Sequence, residues 1–374
     1  MSRLSVAPRR ALLISLRYLG DVLLATPLAS TLKHLYPECV VDMLVFSGCE
    51  AILEGNPMVA QVLTTREGAS VGERRAQMRS LWRHYDLAVI TTTGTPPLLF
   101  GYAAAHHRVG FAAAERTSSA WKRMLLTQWS LFDPGAPRLE LNDRLARLLG
   151  ADAAGPIVPP TAGIAVETWS DRLGFDPRSE PFAVVHPSPR WRYKRWTDVG
   201  WRTLVEHLEQ RLRRVLITGS ADLAERRYLD GLGLDGPTVL RLDGRFRLAE
   251  TADLLRLAAL YVGPDTAVTH LAAACGTPTL ALFGPTNPVI WGPASNHEDR
   301  RPYEPVAPIQ YRGNVAVLQN ADLPCVPCHL EGCERHRDSH SDCLDRLSPA
   351  RVISATETLL QRQPDLPAAA PAAS

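Results

Sequence analysis

The chain has 374 residues, enough for two domains at roughly 100–200 residues each. Hydrophobic residues make up 45% and charged residues 21%, the balance of a soluble globular protein rather than a disordered one. The net charge of +2, Lys plus Arg 41 against Asp plus Glu 39, gives no global attraction for polyanions and points away from a nucleic-acid partner.

The N-terminal stretch MSRLSVAPRRALLISLRYLG sets basic residues before an apolar run. ALLISL (11–16) is too short for a secretory h-region and is cut off by Arg17, so a cytoplasmic location is expected. No run of about 18 apolar residues predicts a membrane span; a peripheral membrane contact stays open. ALLISL reads as a buried parallel strand, PLASTLKHLY (27–36) as a helix and VVDMLVF (40–46) as a second strand. RRAQMRSLWRHY (74–85) predicts an Arg-rich amphipathic helix, DLAVITT (86–92) a strand, and AAHHRVGF (104–111) a short strand ending in Gly110.

A Pro/Ala/Gly-rich stretch, GADAAGPIVPPTAG (150–163), breaks the rhythm, and two α/β halves join near residues 155–181. FAVVHPS (182–188) is a strand running into a loop. WTDVGWRTLVEHLEQRL (196–212) is a helix with Thr197 as its N-cap. RVLITGS (214–220), DLAERRYLDGL (222–232), LAETADLLRLAAL (248–260), LYVGPDT (260–266), AVTHLAAACG (267–276) and PTLALFGPT (278–286) continue the alternation. PARVISATETLLQRQ (349–363) is a final amphipathic helix, and residues 364–374 form a Pro/Ala tail expected to be disordered. The resulting division is 1–165, 166–348, the 349–363 helix and the 364–374 tail.

Two Rossmann-like halves normally bind ligand at the C-terminal ends of their strands. Neither half carries a strand-coupled G-x-G-x-x-G, and the chain has no G-x-x-x-x-G-K-[ST]. That lowers the case for a nicotinamide enzyme or a P-loop NTPase.

Chemistry concentrates in GPDTAVTHLAAACGTPTLALFGPTNPVIWGP (263–293). Asp265 and Thr266 lie where a strand hands over to a helix. Asp265 can cap that helix, while Thr266 and the free first-turn N–H groups can face an anion. His270 follows one turn later, and FGPTNP (283–288) is a second loop after a strand. The bland alternative makes Asp265 only a cap and His270 a satisfied core histidine. HPSPRWRYKRW (186–196) offers the Ser188 hydroxyl and Lys194, a movable point charge suited to a diphosphate. Arg190, Arg192 and Arg195 compete for that role.

Together with LRYLGDVLLATPLASTLKHLYP, KRWTDVGW and the late PCVPC…C…CL, these segments resemble glycosyltransferase family 9, the ADP-heptose:lipopolysaccharide heptosyltransferases. The opening segment, with STLKHLYP and ILEGNP, is most similar to the branch that transfers the third heptose. The resemblance implies the GT-B fold: two facing Rossmann-like domains with parallel sheets and a central cleft. It implies inverting transfer from ADP-heptose to the lipopolysaccharide inner core at the cytoplasmic face of the inner membrane, with no metal required for catalysis. The alternatives are a family-9 enzyme using another nucleotide sugar or acceptor, and a nucleotide-sugar-binding protein that has lost catalysis.

By the same resemblance Asp21, in the first loop's Gly-Asp pair, is the general base. Apolar surroundings would make it a better one. With Thr26 as N-cap and Pro27 at a helix's first position, Asp21 would lie on a loop; otherwise the helix starts at Asp21 and kinks. Lys194 matches the phosphate-binding lysine and Asp265 the aspartate on the heptose hydroxyls. Thr266 and Ala267 match backbone contacts to the diphosphate, and His270 the motif histidine. Glu225 aligns loosely with a ribose-binding glutamate and Phe246 with the adenine sandwich; Ser188 sits in a loop richer in Pro and Arg than the family's. A phosphorylated acceptor calls for cations in the first domain, where Arg17, Arg66, Arg108, Arg116, Lys122 and Arg123 are candidates. ERTSSAWKRML could be a mobile acceptor loop.

The chain has seven cysteines, and Cys325, Cys328, Cys333 and Cys343 are bunched, with His329, His336 and His340 interleaved. Four thiolates suit a tetrahedral structural zinc, although the spacing is not that of a standard finger. Free thiols are the other main reading, and disulfides are disfavoured in a reducing cytoplasm.

Overall fold

The computed structural model describes residues 7–113, 120–295 and 301–362. Arg116 and the 364–374 tail lie outside the described residues. By internal contacts the chain forms two units, residues 1–160 and 161–374.

In the first unit the strands are β1 (Arg10–Ser15), β2 (Val40–Phe46), β3 (Gln61–Thr65), β4 (Tyr85–Ile90), β5 (Ala105–Ala113) and β6 (Gln128–Phe132). They pair in the order β3-β2-β1-β4-β5-β6, all parallel. That is the Rossmann order, and β1 is buried from Ala11 to Ile14 because a central parallel strand is covered on both faces. The crossovers are α1 (Leu19–Leu23) and α2 (Thr26–Leu35), α3 (Val71–Ser80), α4 (Thr95–Ala104) and α5 (Ala120–Met124), with α6 (Arg138–Leu149) after β6.

Several sequence expectations change. The Arg-rich helix is displaced toward the N-terminus: Ser70 and Glu73 close a capping box at 3.2 and 2.7 Å, and α3 then buries no residue. It is a solvated helix, not an amphipathic one. β5 runs on past Gly110 to Ala113, and Ala120–Met124 is helical where the sequence suggests a loop. Asp21 is neither on a loop nor at the head of one kinked helix. It occupies the short α1, and α2 restarts at Thr26 with Pro27 in its first turn and Ala25 as N-cap. The Thr26 hydroxyl instead donates to the Leu23 carbonyl at 2.7 Å and accepts from the Val158 N–H at 2.9 Å.

The second unit has α7 (Val166–Leu173), within the expected joining stretch, and β7 (Phe182–Val185). It continues with α8 (Asp198–Arg211), β8 (Arg214–Ile217), α9 (Leu223–Leu232), β9 (Val239–Arg241), α10 (Leu248–Leu257), β10 (Leu260–Pro264), α11 (Ala267–Ala274), β11 (Thr279–Phe283), α12 (Pro288–Trp291), β12 (Ile309–Arg312), β13 (Val315–Gln319), α13 (Asp342–Asp345) and α14 (Pro349–Gln361). The sheet order is β12-β13-β11-β10-β7-β8-β9, with only the edge strand β12 antiparallel. Removing that edge leaves the same 3-2-1-4-5-6 logic as the first unit. Thr197 caps α8 as its sequence predicts, accepting from the Gly200 N–H at 3.0 Å. Trp196 and Trp201 meet edge-to-face at 5.1 Å in a core that also takes Val352, Ala355, Leu359 and Leu360 of α14. The C-terminal helix is thus part of this unit's core.

Candidate active site

In a doubly wound sheet the ligand crevice opens where the strand order reverses, at the carboxyl ends of the two strands flanking that point. In the first unit those strands are β1 and β4. A cavity of about 540 Å³ opens there, lined by Ser15, Arg17 and Asp21 from the β1 side and by Thr91, Thr92 and Thr93 from the β4 side. Phe100, Phe111 and Phe132 wall it, and Arg66, Arg74, Arg138 and Asn142 supply further polar groups.

Asp21 is mostly buried and lies 3.6 Å from the Arg17 Nε. Its surroundings are therefore not simply apolar, as the sequence suggests, because guanidinium groups join the apolar wall. Burial holds the Arg138 guanidinium below its ordinary pKa, opposed by attraction to Asp21 and reinforced by repulsion from Arg17. Two cations around one carboxylate give the cavity an anion-seeking character.

The expected acceptor residues separate. Arg17 and Arg66 line the cavity, although Arg66 is also paired with Glu73 at 2.7 Å. Arg108 is not among the lining residues. Its guanidinium donates to the carbonyls of Leu125, Ala105 and His106 and lies 5.2 Å over the Tyr102 ring. Lys122 donates to the Thr93 carbonyl at 3.5 Å, at the cavity's margin. Sequence reasoning misses Arg74, Arg138, Asn142 and the threonine run. T-T-T-G directly after a strand is a readable signal. Arg138 has none, since nothing in its local pattern tells that α6 packs beside α2.

In the second unit the switch point lies between β7 and β10, and two expected residues meet there. Lys194, on the 3-10 turn Arg192–Lys194 after β7, donates to the Asp265 carboxylate at 2.6 Å, and Asp265 follows β10. Burial disfavours the lysine's charge, but the Asp265 charge and hydrogen bond outweigh it, so its pKa lies above the ordinary value. Asp265 does not cap α11. Thr266 does, accepting from the Thr269 N–H. By helix geometry the first-turn N–H groups of Ala267 and Val268 have no intrahelical acceptor, and the helix dipole favours an anion there.

His270 is buried inside α11. Ser188 is buried behind the β7 loop next to His186, whose pKa is pushed down by its own burial. Glu225 folds back on its own loop, accepting from the Ser220 N–H at 3.0 Å and from the Ser220 hydroxyl. Phe246 is half-buried, edge-on to Trp169 at 5.1 Å with the Arg172 guanidinium 5.0 Å above it.

The cysteine-rich loop braces this site. The Ser341 hydroxyl donates to the Tyr193 carbonyl at 2.6 Å, and the His329 N–H donates to the Pro285 carbonyl at 2.8 Å. It thereby ties the Lys194 turn to the FGPTNP loop. Burial, then the nearby Cys328, Cys333 and Cys325, push the Cys343 thiol up to about 12. Among the described residues, the donor atoms gathered within 4.8 Å of one another belong to Cys333, His340 and Asp342, a set that could hold a cation. Cys325, Cys328 and Cys343 are not in that set.

Each unit thus carries a switch-point crevice of the kind that binds ligands in doubly wound α/β proteins, and comparison with known proteins gives the class. A solved structure of the E. coli ADP-heptose lipopolysaccharide heptosyltransferase II covers 94% of this chain and 99% of its own length, with a TM-score of 0.71 at 20% identity. The fold is thus GT-B. The family model Glycosyltransferase family 9 (heptosyltransferase) matches residues 74–301, and the chain belongs to that family. It is a glycosyltransferase. It is 28% identical to lipopolysaccharide heptosyltransferase 3 of E. coli K12, over 74% of this chain and 83% of that protein. It is also 28% identical to lipopolysaccharide heptosyltransferase 1 of Pseudomonas aeruginosa PAO1, over 94% and 98%.

Proposed function

We propose that this glycosyltransferase moves a heptose from ADP-heptose to the inner core of lipopolysaccharide, with inversion at the anomeric carbon. The observation that carries the reading is Asp21, a carboxylate at the β1 switch point opening into a cation-lined cavity. The names of relatives matched over most of the chain support the donor and the acceptor class.

In this reading the second unit holds the donor. The diphosphate meets the Lys194 ammonium and the α11 N-terminus, where the negative charge that grows on the leaving group is best stabilised. Asp265, freed from part of its pairing with Lys194, accepts hydrogen bonds from the sugar hydroxyls. The first unit holds the acceptor through Arg17, Arg66 and Arg138. Asp21 takes the proton of the acceptor hydroxyl as its oxygen bonds to the anomeric carbon. The carbon–phosphate-oxygen bond breaks, and its electron pair leaves with ADP. One base and one displacement suffice, with no enzyme nucleophile. No step runs through a metal; the Cys-rich loop serves as scaffold for the Lys194 turn.

In its first form this reading has the enzyme add the third heptose. The longer match to a heptosyltransferase 1 favours, as second reading, addition of the first. Purified protein is incubated with ADP-heptose and cores carrying none, one or two heptoses, and mass spectrometry identifies which core gains one heptose. A gain on the two-heptose core supports the first reading and a gain on the heptose-free core the second. Transfer only from a UDP- or GDP-sugar would sink both. NMR of the new glycosidic bond tests inversion.

A further inference from the structure

All three tryptophans of the first unit face solvent: Trp82 at 57%, Trp121 at 40% and Trp129 at 42% exposure. Met124 at 77%, Leu131 at 47% and Tyr102 at 40% accompany them. A globular domain rarely leaves so many large apolar side chains in one stretch of chain without a use for them.

These side chains are joined through cations. The Arg83 guanidinium lies 5.0 Å from the Trp82 ring and 5.6 Å from the Tyr102 ring. Arg108 lies 5.2 Å from Tyr102, donates to the Leu125 carbonyl next to Met124, and its N–H donates to the Thr127 hydroxyl at 2.8 Å. Thr127 leads into β6, where Arg123 covers Trp129 at 5.0 Å. β6 is an edge strand whose alternate residues Trp129 and Leu131 point outward. In water such an edge is an aggregation liability unless something covers it.

The charge of this stretch is one-sided. From Leu87 to Phe132 the sequence has a single acidic residue, Glu115, against Arg108, Arg116, Lys122 and Arg123, with His106 and His107 besides. The chain as a whole is nearly balanced at +2. Indole and phenol rings interleaved with guanidinium groups match the boundary of a bilayer, where the rings enter the headgroup layer and the cations meet lipid phosphates.

We propose that the surface formed by α5, β6 and the Trp82–Tyr102–Arg108 cluster docks on an anionic lipid bilayer. A glycolipid acceptor, on the reading above, would be met at such a surface, but lipid binding is measured independently of transfer. The test is co-sedimentation with vesicles of phosphatidylcholine alone and of phosphatidylcholine mixed equally with phosphatidylglycerol.

The wild-type protein should partition at least about tenfold more strongly onto the anionic vesicles, and the difference should shrink at high salt. The triple variant Met124→Ser, Trp129→Ser, Leu131→Ser should lose binding by about 30-fold or more while its ADP affinity is unchanged. The single variant Met124→Ser, at the most exposed position, should lose about threefold and carries the test if the triple variant melts early. Equal binding to both vesicle types, no binding to either, or variants that bind like the wild type would overturn the proposal. So would a concentration-dependent dimer abolished by the triple variant in a protein that ignores lipid. Loss of transfer with lipid binding intact would count against the proposed function and leave this surface standing.

Discussion

The two units share one order of parallel strands and differ in where they put their tryptophans. In the second unit Trp169, Trp196 and Trp201 are fully or almost fully buried, and the site rests on a shielded ion pair, Lys194 with Asp265. In the first unit every tryptophan is exposed, and the site is an open cavity whose cations line its wall. The difference teaches what each switch point can hold: a preset cation beside a helix terminus suits a small, constant anion, whereas an open cavity with several cations has room for a larger, branched one. On the proposed function these are the diphosphate of the donor and the phosphorylated acceptor.

The contrast between the units can be broken most severely at Asp21. Asp21→Asn should lower the rate of transfer by about 10²–10⁴-fold while ADP binding in calorimetry stays unchanged; full activity in that variant would remove the base. Next comes the buried core of the second unit: Trp201→Ala should cost about 3–5 kcal/mol in urea unfolding. A loss under about 1 kcal/mol would mean that core is not close-packed.

Lys194→Met should weaken ADP binding by roughly 30–150-fold and lower stability by about 2–3 kcal/mol, because it strands the Asp265 charge. The folded lysine has a raised pKa. The pair's contribution is therefore fully present below the ordinary lysine pKa and is lost as pH rises through the higher folded value. Above neutrality, the melting temperatures of wild type and variant should converge only at strongly alkaline pH, and convergence near neutrality would contradict the pairing.

Arg138→Met should raise the acceptor KM about tenfold with ADP affinity unchanged, the signature of a first-unit role; an effect on ADP alone would misplace it. The smallest effect sharpens the contrast with Trp201. Trp129→Ser should change unfolding stability by no more than about 1 kcal/mol, since the side chain is already 42% exposed on an edge strand. A loss near that of Trp201→Ala would show that the first unit's tryptophans are structural after all.

Much of the second unit's site was legible because it is local. G-P-D-T followed by V-T-H puts a strand end and a helix start in one short segment, and Thr197 announces α8 by its cap. Even there, chain pattern misassigned the cap of α11, since Asp265 and Thr266 are both good N-caps and only the nearby lysine decides between them. The first unit's site was half legible. Asp21 stood out as a carboxylate after a buried strand, whereas Arg138 and Asn142 reach the cavity only because α6 is packed beside α2. Arg108 looked like a free cation and is spent on three backbone carbonyls.

The two-unit α/β plan, the strands β1, β2, β4, β5, β7, β8, β10 and β11 and the segments that carry the chemistry are legible in the sequence itself, because hydrophobic period, caps and breakers act over a few residues; the outer strands β3, β6, β9, β12 and β13 and the helices α4 and α6 are not read from it. The Lys194–Asp265 pair spans 71 positions, and the cavity joins residues from 15 to 142. Tertiary structure alone decided those, along with which arginines face the cavity and which tryptophans stay outside. They depend on where the chain returns in space, and no local pattern encodes that.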